Sequence, residues 1–149
     1  MTDRRHVDHV LRMMRDLYAT DAPDREVDIS RFPATIDRLL AEPSRGRVVL
    51  FEHDGRVVGY ALVVPFWSNE FGGNVLLVDE LLVEKEYRGR GVARAFFSFI
   101  AAATPFEAVA LALEVSPENA RARALYEAMG FRERHHRMMT RRLVRPVVK

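Results

Sequence analysis

Val75-Leu76-Leu77-Val78-Asp79-Glu80-Leu81-Leu82-Val83 is followed, four residues later, by Arg88-Gly89-Arg90-Gly91-Val92-Ala93. The first run is aliphatic and β-branched and reads as a buried strand. The second opens an apolar helix that runs from Val92 through Ala103. A strand that feeds a helix through a glycine-bearing turn presents unpaired backbone N–H groups and the positive end of the helix dipole. Such a place suits an anion, phosphate above all, and Arg88 and Arg90 add formal positive charge to it.

Working outward, residues 108–115 read as another strand. Ser116-Pro117-Glu118 then reads as a helix start, with serine as cap and proline at the first helical position. That helix stops at Gly130, a C-terminal signal. Residues 131–143 read as a last strand or pair of strands, and 144–149 as a short tail. Upstream, 47–52 and 56–64 are joined by His53-Asp54-Gly55, and Asp-Gly between β-branched runs signals a hairpin. A loop spans 66–74. Residues 6–19 carry Val7, Val10, Leu11, Met14, Leu17 and Tyr18 on one helical stripe, and Ala22-Pro23-Asp24 ends it. Ser30 is the expected cap of a second helix with Phe32, Ile36, Leu39 and Leu40. The expected order is ααβββαβαβ, a mixed α/β fold with its sheet covered by helices.

The chain has 149 residues, 48% hydrophobic and 30% charged, which fits one globular domain over 1–149. Cysteine is absent, which excludes disulfides, thiolate metal sites and a cysteine nucleophile. The start of the chain lacks the apolar core of a signal peptide, and no apolar run approaches the ~18 residues of a membrane span. A soluble, cytoplasmic protein with no membrane partner is therefore expected. The net charge of +2 is too mild to argue for nucleic acid. Its distribution is uneven: residues 66–86 hold five acids against Lys85, and from Asn119 onward nine bases face Glu127 and Glu133. Either this is a solvated basic face, or an acidic pocket stands apart from an anion-facing side.

The glycine turn lacks Gly-Lys-Ser/Thr, so it is not a nucleotide P-loop, and it lacks the third glycine and acidic partner of a dinucleotide fingerprint. Arg88-x-x-Gly91-x-Ala93, preceded by Leu81-Leu82-Val83 and Glu86-Tyr87, instead resembles the acetyl-CoA signature of the GNAT superfamily of N-acetyltransferases. Asn119-x-x-Ala122-x-x-Leu125-Tyr126-x-x-x-Gly130-Phe131 is similar to that superfamily's second signature. The two stand in order, with one helix and one strand between them. The resemblance implies the GNAT fold, with a central, mostly antiparallel sheet flanked by helices, and acetyl-CoA as cosubstrate. It implies that the N–H groups of Gly89, Arg90, Gly91, Val92, Ala93 and Arg94, with Arg88 beside them, hold the CoA pyrophosphate. It gives the backbone of Leu82 and Val83 to the pantetheine arm, as an added strand pairs with a sheet edge. An N–H there, that of Val83, would stabilise a developing oxyanion.

Tyr126 lies where the family keeps a tyrosine that protonates the departing thiolate; otherwise it packs beside Leu125. Asn119 either caps its helix or bonds to the cofactor. An amine nucleophile of pKa ~10.4 costs about 4.6 kcal/mol to deprotonate at pH 7, so a carboxylate nearby is valuable. Asp79 and Glu80 interrupt an otherwise apolar strand, which conflicts with burial unless they line a pocket. Strand alternation lets only one of them face the substrate, and related amine acetyltransferases carry an acidic pair here, which implies a base or amine anchor, with Glu80 favoured over Asp79. The other reading is a solvated strand edge. Phe66, Trp67, Glu70 and Phe71 form either a substrate wall for a cationic or aliphatic acceptor or a loop plugged over the core.

The overall pattern is closest to members acting on polyamines and small amines, so a small-molecule amine acceptor is expected. Acetylation of a protein or peptide amine, and a non-catalytic acyl-CoA-binding module, are the alternatives. No nucleic-acid partner is expected. The family resemblance implies a homodimer through the sheet or C-terminal strands. His6 and His9 share a helix face and His135 and His136 would project to opposite sides of a strand, with no metal-ligand spacing, so no metal is expected. Met13, Met14, Met138 and Met139 read as core filler. Family members usually open with a strand, whereas helical sequence here begins near Arg5.

Overall fold

The computed structural model describes residues 4–21 and 26–144. A short 3-10 turn, Arg4–His6, leads directly into helix α1, Val7–Thr20, so no strand precedes α1 among the described residues. The break expected at Ala22-Pro23-Asp24 and the tail beyond Val144 lie outside them. Helix α2, Phe32–Ala41, follows a 3-10 turn that Asp28, rather than Ser30, caps: the Asp28 carboxylate accepts from the Ser30 N–H at 3.0 Å. Strands β1 (Arg47–His53), β2 (Arg56–Ser68) and β3 (Gly73–Val83) form a meander. Asp54 and Gly55 both have positive φ in the first hairpin turn, as the Asp-Gly signal predicts. Helix α3 (Val92–Ala103), strand β4 (Ala108–Leu113) and helix α4 (Ala120–Ala128) complete the fold.

The sheet order is β1-β2-β3-β4, antiparallel except for the parallel β3–β4 pair. The crossover α3 makes that parallel pair possible. Helices cover both faces. On one, Val10, Leu11, Met13 and Met14 of α1 meet Phe32 and Ile36 of α2 over Tyr60, Leu62 and Leu82. On the other, Phe96, Phe97 and Ile100 of α3 pack on Phe51, Ala61, Val63, Leu76 and Val78, with Tyr126 and Phe131 against them.

Several expectations are corrected. The 66–74 segment is not a loop: β2 and β3 extend through it, leaving a turn only at 69–72. The glycine pair disguised this, since Gly73 opens β3. Helix α4 starts three residues later than expected, because the Asn119 side chain, rather than Ser116, accepts from a helix N–H, that of Ala122 at 3.1 Å. Its end is as predicted: Gly130 has φ of 94°, and Phe131 N–H donates back to the Tyr126 carbonyl at 3.0 Å. No strand forms over 131–144, so the element order among the described residues ends at α4, and His135 and His136 stand on no strand. Met13 and Met14 are core residues, but Met138 and Met139 are 72% and 94% exposed.

The register of β3 carries the feature that shapes the site. Leu62 pairs with Glu80 and Val63 with Val78, so Asp79 is an extra residue, a β-bulge. A bulge reverses the side-chain alternation. Leu76 and Val78 pack under α3, whereas Leu82 packs under α1 and Glu80 bonds to Tyr18 of α1. Without the bulge, Glu80 would fall on the face of Val78.

Candidate active site

The β3–β4 ladder ends at the pair Val78–Leu113, the last residue before the bulge. Beyond it β3 runs on to Val83 paired only with β2, and the two strands part. The gap becomes a cleft of about 880 Å³. Leu81, Leu82 and Val83 form one wall, Glu114, Val115 and Ser116 the other, and α4 from Asn119 to Tyr126 closes one side. The turn 88–94, apart from Arg90, and the last turn of α1, with Leu17, Thr20 and Asp21, also line it.

The backbone of β3 offers this cleft specific groups. Glu84 N–H donates to the Val58 carbonyl of β2 at 2.8 Å. In a trans peptide the preceding carbonyl, that of Val83, then points away from β2, and Arg88 Nε donates to it at 2.8 Å. The Val83 N–H shares that direction and faces the opening, while the backbone groups of Leu82 face β2. The Leu81 groups, two residues from Val83, face the opening as well. Leu82 therefore touches the cleft with its body, and Leu81 and Val83 present the sheet edge.

At the glycine turn, Gly89 and Gly91 have φ of 74° and 80°, the left-handed region that costs other residues about 1–2 kcal/mol. Gly91 is the N-cap of α3 and brings no capping side chain. The first N–H groups of α3 are left for an external acceptor. Arg88, Arg94 and Arg121 line the cleft as well; Arg121 lies so near Gly89 that a Cβ there would stand 3.3 Å from its guanidinium. Arg90 turns aside and stacks over Tyr87, 5.3 Å from the ring centre. Uncapped donors, permissive glycines and three arginines fit a diphosphate, an anionic group that CoA carries.

Tyr126 projects from α4 between Phe97 and Phe131, with ring centres 5.7 and 6.0 Å away. Its hydroxyl bonds to no described residue, and burial, followed by the negative charge of Asp21, pushes its pKa up. It lies in the cleft as an acid that keeps its proton. Both roles weighed for Asn119 involve one place, since it caps α4 and also lines the cleft.

The acidic pair sits beside the cleft rather than on its walls. Glu80 is half-buried, and its two carboxylate oxygens accept from Tyr18 Oη at 2.7 Å and Tyr60 Oη at 2.8 Å. Burial raises its pKa, the two phenols lower it, and Asp79 raises it again; the net direction is up. Burial correspondingly pushes both phenols upward. Solvent reaches Asp79, yet the surrounding protein strips enough water from its carboxyl to raise its pKa too. The bulge thus sets the two acids in different surroundings at the point where the strands part.

Phe66, Trp67, Glu70 and Phe71 lie at the opposite end of β3 and do not line the cleft. Trp67 is 70% exposed, and Glu70 is paired with Arg134 at 2.7 Å. The sequence reading missed Leu17, Thr20, Asp21, Glu114 and Arg121. Arg121 was signalled by the excess of bases after Asn119; the last turn of α1 carries no motif. Among the described residues no cluster of ligating side chains suits a metal, and no helix is long and apolar enough to cross a membrane.

Residues 11–131 match the model of the Acetyltransferase (GNAT) family. An uncharacterised N-acetyltransferase of Methanocaldococcus jannaschii is 31% identical over 126 residues, 80% of this chain and 74% of that protein. Among solved structures, a possible acetyltransferase from Clostridium difficile 630 superposes with a TM-score of 0.80 at 23% identity, over 97% of this chain and 95% of the other. An aminoglycoside N-acetyltransferase in complex with CoA gives a TM-score of 0.77 at 19% identity, over 95% and 91% of the two chains. With both signatures lining one cleft and the family match spanning most of the sequence, the chain belongs to the GNAT family and is an acetyltransferase.

Proposed function

We propose that this protein transfers the acetyl group of acetyl-CoA to a primary amine of a small, polyamine-like molecule. The observation that carries this is the parting of β3 and β4 at Asp79, which opens the Val83 N–H to a cleft lined by an uncapped helix start. Acetyl-CoA supplies the activated acyl group as a thioester. The α3 N–H groups, Arg88, Arg94 and Arg121 hold its diphosphate, and the arm runs along the free edge of β3 to Val83. The Val83 N–H supports the negative charge that develops on the acyl oxygen. The neutral amine attacks directly: a C–N bond forms, the C–S bond breaks, and Tyr126 gives its proton to the leaving sulfur.

The amine's own proton passes to a carboxylate at the bulge. Glu80 has both oxygens engaged by phenols, which favours Asp79 as the acceptor, with Glu80 fixing the local charge. The raised pKa of each carboxyl makes it a better base than an ordinary one. The aminoglycoside acetyltransferase, similar in fold, acts on an amine, which is in keeping with this acceptor class. We further take the cytoplasm as its compartment, in keeping with the lack of cysteine, and a homodimer as its assembly, for which exposed Met138, Met139 and Leu143 offer apolar surface.

The test is CoA release across a panel of polyamines, aminoglycosides, amino acids and peptides. Polyamines should lead, and Tyr126→Phe should lower kcat by about 10²-fold. Exclusive turnover of peptides would overturn the acceptor. Unchanged rates in both Asp79→Asn and Glu80→Gln would remove the carboxylate role.

A further inference from the structure

The cleft is lined by charges of both signs, and one carboxylate among them has no assigned task. At the glycine turn three arginines gather. On the α1 side stands Asp21, the residue that ends the helix, its backbone N–H donating to the Leu17 carbonyl at 2.8 Å. Its side chain is exposed and bonds to no described residue. Thr20, beside it, turns its hydroxyl back onto the carbonyls of Asp16 and Leu17 at 2.8 and 3.3 Å, so it does not compete for the carboxylate. The C-terminal end of a 14-residue helix adds partial negative charge at the same spot.

The other carboxylates near the cleft are differently placed. Glu118 is engaged by the Ser116 hydroxyl. Glu80 is held by two phenols. Glu114 lies on the far wall, at the end of β4. Asp21 is the cleft carboxylate whose charge reaches the Tyr126 hydroxyl. An ammonium seated at Asp21 would thus lie within electrostatic reach of the group proposed to protonate the leaving sulfur. It cannot be the reacting nitrogen, which must be neutral to attack. It must be a second cationic centre on the same molecule.

We propose that Asp21 anchors a second, non-reacting ammonium of the acceptor, and so selects diamines and polyamines over monoamines. This deepens the proposed function and rests on its acceptor class. The test is calorimetric titration of putrescine and of butylamine into the full-length protein saturated with CoA. Both carry a primary amine on a four-carbon chain, and they differ in the second charge. Putrescine should bind more tightly than butylamine. Asp21→Asn should weaken putrescine by about three- to tenfold, the range between an exposed and a partly desolvated ion pair, and leave butylamine and CoA unchanged. Asp21→Glu should restore part of the loss. Equal binding of the two amines to the wild type, or equal losses for both in Asp21→Asn, would overturn the proposal. Turnover is read separately: discrimination through Asp21 with no acetyl transfer to either amine would refute the small-amine function and leave the anchor standing.

Discussion

The Tyr18–Glu80–Tyr60 network invites a direct measurement, because its pieces are separable. Tyr60 is fully buried, and its hydroxyl donates to one Glu80 oxygen at 2.8 Å while Tyr18 serves the other. Tyr60→Phe keeps the ring and removes only the donor. A hydrogen bond to a charged group contributes about 1.5–3 kcal/mol, and a neutral one about 0.5–1.5. The variant should lose the larger amount, a fall in Tm of about 3–12 °C at roughly 2–4 °C per kcal/mol for this length. In a Glu80→Gln background the same change should cost the smaller amount, leaving a coupling of about 1 kcal/mol.

The pH dependence follows from the direction of the Glu80 shift. Its pKa in the folded chain lies above the ordinary 4.5, so the folded state binds its proton more readily than the unfolded one. The stability this brings is fully present below pH 4.5 and is lost as pH rises through the raised value. Removing a phenol that steadies the anion enlarges that loss. The Tyr60→Phe penalty should therefore be small near pH 4 and larger near neutrality. Urea unfolding followed by far-UV circular dichroism, at both pH values and in both backgrounds, decides it. A penalty equal at the two pH values, or undiminished by Glu80→Gln, would refute a charged Glu80 held by the phenols.

Gly59→Ala should destabilise the sheet by about 1–3 kcal/mol, because its Cβ would stand 2.4 Å from the Leu82 carbonyl oxygen and 2.7 Å from the Phe51 ring; a lower urea midpoint checks this. Gly91→Ala meets nothing within 4 Å, so its cost is backbone strain alone, about 1–2 kcal/mol. Thermal unfolding should drop by about 2–8 °C, and Gly91→Asn should drop less, since asparagine tolerates the left-handed region.

The glycine turn and the end of α4 were legible because their chemistry is local. Gly91 must take a positive φ, and Gly130 must end a helix, whatever surrounds them. The bulge at Asp79 was not legible, because period-2 alternation assumes that no residue is skipped. Reading Asp79 and Glu80 as opposite-facing neighbours followed from that assumption, and the bulge replaced it. Phe66 and Trp67 were read as part of a loop with Gly72 and Gly73, yet both belong to a long hairpin reaching away from the cleft. The strands expected over 131–143 rested on position rather than pattern, since Arg132 to Arg142 holds no apolar alternation. Asp21 stayed invisible for a different reason. Its place in the cleft depends on how α1 lies across the sheet, which no local sequence signal encodes.

The bond from Arg88 to the Val83 carbonyl ties the turn to the strand it leaves. On the proposed function this makes the segment from Val83 to Gly91 a ruler. One mark is the N–H that meets the acyl group, the other the helix start that meets the diphosphate, and Arg88 keeps the distance between them from drifting. A donor is then measured by the length of its arm. Acetyl-pantetheine, bearing the same thioester but no diphosphate, would touch one mark only, and the protein would have no means of telling whether its acyl end had arrived.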